Sequence, residues 1–240
     1  MNDSVQIIPL ANLALAFIPA FVVVVIARRW SLGHENMLYA ISRMLVQLML
    51  IGYLLAYIFD SDSAFVVLAV LTVMVLASSW IALRTVKSRR KSLYTKALYA
   101  ITLGGGLTLF IIIWGVLTLD PWYWPSYVIP LAGMIFANAL NSVSLAADRL
   151  AAEIDRTADY IEARNIAFRS SMIPITNSLF AVGLVSLPGM MTGQILSGIS
   201  PLIAARYQIM VMCMVFGSAG ISSACFLKWV RSDFEKPADD

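Results

Sequence analysis

The chain has 240 residues, 60% of them hydrophobic and 13% charged, with a mean hydropathy of +0.82. An ordinary globular domain carries about a quarter charged residues, so a water-soluble domain is excluded, and the net charge of +3 gives no ground for nucleic-acid binding. The two cysteines, Cys213 and Cys225, would lie about 18 Å apart on one predicted helix; they cannot bridge within it and point to no redox compartment.

Runs of roughly 20 apolar residues, long enough to cross a hydrocarbon core of about 30 Å, fall at 8–27, 37–59, 64–83, 94–119, 126–146, 172–187 and 207–229. The fold class that follows is all-α, a polytopic integral membrane bundle of about seven transmembrane helices forming one domain over 1–240. No basic stretch precedes the first run, which is too long for a cleaved signal and reads as a span. Arg28 and Arg29 follow the first span, Arg84 to Lys91 the third, Arg149, Arg156, Arg164 and Arg169 the fifth, and Lys228, Arg231 and Lys236 the seventh. Asp60, Asp62 and Asp120 follow the second and fourth. All the basic connections therefore share one side, and the positive-inside rule predicts the N-terminus outside and the C-terminus in the cytoplasm.

Within the spans, Arg43 and Gln47 lie four residues apart on one face of the second, either lining a pathway or pairing structurally. Gly104, Gly105 and Gly106 in the fourth span allow close helix approach or a hinge. Trp122, Tyr123 and Trp124 mark an outer aromatic belt. Asn138 and Asn141 in the fifth span and Asn177 in the sixth are neutral amides suited to bonding between helices. The segment 148–168 mixes charges with Leu150, Ile154, Ala158 and Ile161 at helical spacing and contains no glycine or proline. It is expected to extend the fifth span as a cytoplasmic amphipathic helix, supported by an Arg149 and Glu153 pair, and to dock a partner or lie solvated on the membrane.

The stretch 183–201 is apolar and uncharged but carries four glycines and two prolines, so it cannot be one regular helix. Irregular backbone at membrane depth is tolerated only where protein or a cavity buries it, and 188–205 reads as a broken or re-entrant outer segment. A weak internal echo aligns 131–140 with 187–196, setting Met134 opposite Met190 and Asn138 opposite Gln194. Methionines 134, 190, 191, 210, 212 and 214 offer soft thioethers or ordinary packing. No Ser-His pair or intramembrane aspartate pair is available for hydrolysis, and no Gly-x-x-x-x-Gly-Lys phosphate loop is present. The chain is not expected to be an enzyme or to hold a cofactor.

Several strings resemble one family: 129–134 with Asn138, 173–177, 182–194, 206–212, and 43–48 with Ile51 and Gly52. Together they are similar to the FetB-type iron-export ABC permeases, which include the plant aluminium-tolerance half-transporters. The resemblance implies a permease subunit in the bacterial cytoplasmic (inner) membrane, multi-pass and paired with a second copy. A separate cytoplasmic ABC ATPase holding ATP and Mg would energise metal, here iron, efflux. Pathway or gate residues would be Arg43, Gln47, Met134, Asn138, Asn177, Gly189, Met190, Met191 and Gln194. ATPase coupling would fall on Asp148, Arg149, Glu153, Arg156, Glu162 and Arg164; metal ligands stay unassigned. Relatives carry a longer connection between the fifth and sixth spans with a Leu-Gly-Ala-like turn, whereas no glycine occurs here between Gly133 and Gly183. A membrane scaffold or sensor recruiting a partner through 148–168 is the competing reading.

Overall fold

The computed structural model describes residues 8–59, 63–157 and 159–234. All regular structure among them is helical, as an apolar chain in lipid requires, because a helix answers its own backbone polar groups. The chain divides into two compact units, 1–61 and 62–240. Six helical stretches among the described residues are long and apolar enough to cross a membrane: Leu10–Arg29, His34–Phe59, Ala64–Ala82, Lys87–Val116, Pro125–Arg156 and Pro201–Trp229.

The first unit holds α1 (Leu10–Leu15), α2 (Phe17–Arg29) and α3 (His34–Phe59). Helix α3 is largely exposed along its apolar length, the pattern of a helix meant for lipid or another protein surface rather than water.

The second unit holds α4 (Ala64–Ala82), α5 (Arg90–Phe110), α6 (Pro125–Thr157), α7 (Tyr160–Ala181), α8 (Gly189–Leu196), α9 (Pro201–Trp229) and α10 (Arg231–Phe234). Helices α5, α6 and α9 pack on one another, with α4 against α5 and α6, and α7 against α6 and α9. Their contact surface is dry and made of small and branched residues, including Ala97, Ala100, Ile101, Ile135, Ala139 and Ala219. Lipid tails are as apolar as leucine, so close van der Waals fit, not water expulsion, holds such helices together.

The glycine triplet supplies that fit. A Cβ on Gly104 would lie 2.3 Å from Ser222 Oγ and 2.7 Å from the Ser222 backbone nitrogen on α9, and one on Gly105 would lie 2.7 Å from the Phe136 ring on α6. A Cβ on Gly106 would meet nothing within 4 Å. Two of the three glycines are packing positions, and α5 needs both to approach its neighbours.

The basic connection after α4 is also structural. Arg90 donates to the Trp80 carbonyl from Nε at 3.1 Å and Nη2 at 2.6 Å and stacks 3.7 Å over the Trp80 ring. It thereby caps one of the carbonyls left open at the α4 C-terminus. Arg89 lies 4.5 Å over the Phe234 ring and Lys96 pairs with Asp233, which ties α10 to the start of α5.

Two expectations change. The segment 148–168 is not one amphipathic helix: α6 ends at Thr157, and Asp159 caps the new helix α7 by accepting from the Ile161 backbone N–H at 3.0 Å. The helical phase restarts there, so Ile161 is exposed while Tyr160, Ala163 and Ala167 turn inward; Ala158 lies outside the described residues. The run 172–187 also ends early, at Ala181, where a tight turn with Gly183 at φ +82° closes through the Gly183 N–H to the Ser186 carbonyl at 3.0 Å.

Candidate functional site

At the end of the second unit remote from its basic connections, α6, α8 and α9 begin close together and enclose a cavity of about 350 Å3. Met134, Met190 and Met210 line it with Tyr127, Tyr207 and Ser126. Local sequence makes the opening. After Phe110 the chain widens into a π-helical turn over Ile111–Val116, with the Leu117 N–H reaching back to the Ile112 carbonyl at 2.9 Å; Thr118 then takes φ +47°. This irregular exit delivers Leu117 to the cavity wall.

Pro130 contributes in a second way. Lying inside α6, it has no N–H to answer the carbonyl four residues back, which belongs to Ser126, and both residues line the cavity. The lining is mostly apolar and carries three methionine thioethers beside two tyrosines. Among the described residues, no group of three or more His, Cys, Asp or Glu is placed to hold a metal ion.

The nine expected pathway residues divide. Met134 and Met190 come together in the cavity, the two methionines that the internal echo aligns. Met191 is half-buried on α8 and Asn177 exposed on α7, and neither is among the lining residues. Asn138 donates from Nδ2 to the Met134 carbonyl at 2.9 Å, a bond within its own helix in place of the expected bond between helices. Gln194 buries its Oε1 without a partner, as does Gln208 on α9. Glycine at 189 is not required by packing within the chain, because a Cβ there meets open space. In the first unit, Arg43 and Gln47 lie against one another: with the Gln47 amide turned to put its oxygen toward Arg43, that oxygen accepts from Arg43 Nε at 3.2 Å and Nη2 at 3.3 Å. Tyr127 had no signal in the sequence, whereas Pro130 lies within the 129–134 string and Tyr207 and Met210 within the 206–212 string.

The opposite end carries the α6–α7 hairpin. Glu153 is buried, and its Oε1 pairs with Arg149 Nη2 at 2.7 Å and Arg156 Nη1 at 3.5 Å. Asp148, Arg149, Arg156 and Glu162 are exposed. Arg164 is half-buried and holds Asn165 Oδ1 from Nε at 3.2 Å and Nη2 at 2.9 Å. Because both arginines stay largely in solvent, Glu153→Ala should lower stability by only about 1 kcal/mol. Thermal unfolding of the purified protein checks this; a loss several times larger would mean that Glu153 holds the hairpin by more than these pairs.

The model of the "Uncharacterised protein family (UPF0014)" matches residues 10–234. The chain belongs to the UPF0014 family. A UPF0014 membrane protein from Synechocystis sp. is 38% identical over 75% of each chain. The Escherichia coli protein named "Probable iron export permease protein FetB" is 34% identical over 91% of this chain and 90% of that one. The Arabidopsis thaliana "Protein ALUMINUM SENSITIVE 3" is 32% identical over 90% and 84%. No solved structure matches. With the apolar helices, UPF0014 membership makes this a multi-pass membrane protein of a permease family, located in the bacterial inner membrane as expected. In this UPF0014 chain the string 182–194 forms the tight turn and most of α8, and 206–212 forms the α9 wall of the cavity.

Proposed function

We propose that the chain is the membrane permease subunit of an ABC-type exporter that moves a metal ion, with iron the leading cargo, outward at the expense of ATP hydrolysed by a separate cytoplasmic ATPase. The similarity to the Escherichia coli iron export permease over nine-tenths of both chains carries this reading. In it α7 is the seventh crossing, its apolar C-terminal half completing a topology with the N-terminus outside and every basic connection inside.

The geometry supplies a means of coupling. Helix α6 runs unbroken from Pro125 to Thr157, so Met134 in the cavity and the hairpin turn are on one rod, about 35 Å apart at the helical rise. An ATPase that grips the hairpin and closes on ATP would rock α6 and α7 together, because they are packed along their length. That motion changes the distance of Met134 from Met190 and Met210, which belong to other helices. A cargo ion held by thioethers, phenols and the Ser126 carbonyl would lose donors as the helices part. Two copies of the permease with two ATPases complete the assembly.

Purification of the tagged chain from its own cells tests the partnership. An ATPase of the ABC type should co-purify in about equal amount, with binding lost when the exposed hairpin residues Arg156 and Glu162 are reversed in charge. The scaffold or sensor reading predicts some other cytoplasmic protein in its place.

A further inference from the structure

We propose that a basic pocket between α7 and α9 binds the phosphate head group of an anionic phospholipid. The pocket, about 450 Å3, is lined by Arg164 and Phe168 of α7, by Leu227 and Lys228 of α9 and by Arg231 at the start of α10. Cations and apolar side chains brought together by the two helices match a molecule with a charged phosphate and a hydrocarbon chain. Basic pockets between membrane helices on the cytoplasmic side suit such head groups.

Each wall is fixed. Tyr160 is buried, and its hydroxyl donates to the Leu227 carbonyl, which joins the start of α7 to the end of α9. The Arg231 guanidinium lies 5.9 Å from the Tyr160 ring centre. Arg164 is oriented by its two bonds to Asn165, and three of its five donors are left for a ligand. Among the described residues, neither Arg164 nor Lys228 has an ion-pair partner. Asp159 and Glu162 line an adjoining groove with Arg169, which shares Asn165 with this pocket. Trp229, next to Lys228, is an aromatic of the kind that sits at the membrane–water interface, the depth at which a lipid phosphate lies.

The test uses the full-length protein in detergent, with phosphatidylglycerol or phosphatidylcholine of identical chains added and bound lipid counted by native mass spectrometry. The wild type should retain phosphatidylglycerol in preference, and Arg164→Gln with Lys228→Gln should reduce that preference about tenfold. Arg164→Lys with Lys228→Arg should keep most of it, which guards against loss of fold. Lys87→Gln with Lys91→Gln removes the same charge from another basic connection and should change nothing. The proposal fails if the wild type shows no preference, if the two glutamine pairs act alike, or if millimolar inorganic phosphate displaces the lipid, since the ligand would then be a free anion.

Discussion

Gly104→Ala is expected to be among the most damaging small substitutions in the chain. The added methyl would lie 2.7 Å from the Ser222 nitrogen and 3.0 Å from its Cα. Those atoms belong to the backbone of a buried helix, so no rotamer relieves the clash and α5 must move off α9. Overpacking of this kind costs about 1–3 kcal/mol, occasionally more. Here the contact lies in the middle of the α5, α6 and α9 core, and alternative packing is not free. Gly106→Ala is the matched control, since its methyl meets nothing within 4 Å and alanine is the better helix former. Thermal stability and monodispersity in detergent should fall sharply for the first and hold or rise for the second. Equal behaviour of the two variants would show that the α5–α9 approach is not set by glycine.

The second large effect concerns transport. Met134→Leu, Met190→Leu and Met210→Leu together remove three sulfurs from the cavity while nearly conserving volume, a class of change that costs under about 1.5 kcal/mol per site. If the thioethers carry a metal ion through the cavity, the triple variant should insert and assemble normally but lose export about tenfold or more, equivalent to about 1.4 kcal/mol at the transport barrier. Measured efflux and measured membrane abundance separate the two effects. Normal efflux at normal abundance would show that sulfur plays no part.

The membrane character of the chain was legible because bilayer thickness dictates the length of an apolar run, and six stretches met that length. The seventh run, 172–187, was harder: α7 starts at Tyr160 and carries Glu162, Arg164 and Arg169 in its first half, so charge and span share one helix. The break near residue 158 was missed because Leu150, Ile154, Ala158 and Ile161 keep helical spacing across it. The only local warning was Asp159, an acceptable helix cap in a run without glycine or proline.

The cavity was half legible. The methionines could be named from the sequence, and the echo between 131–140 and 187–196 paired two of them. Their meeting with Tyr127 and Tyr207 depends on how three helix starts converge, which no spacing within one helix encodes. Gly189 reads in the sequence as a gate position; in the structure α8 begins there and its Cβ position is open. Conversely, Gly104 looked interchangeable with Gly106 until Ser222 was found against it.

Under the proposed function, this chain exports a metal ion when a partner ATPase hydrolyses ATP. That reading is tested most directly by reconstituting the chain with its ATPase in vesicles whose ATPase face is outward, and following ferrous iron entering the lumen. Uptake should require ATP, stop with a hydrolysis-dead ATPase and be lost in the triple leucine variant. Vesicles holding the intact complex, with ATP hydrolysed but no iron or other metal moved, would contradict it.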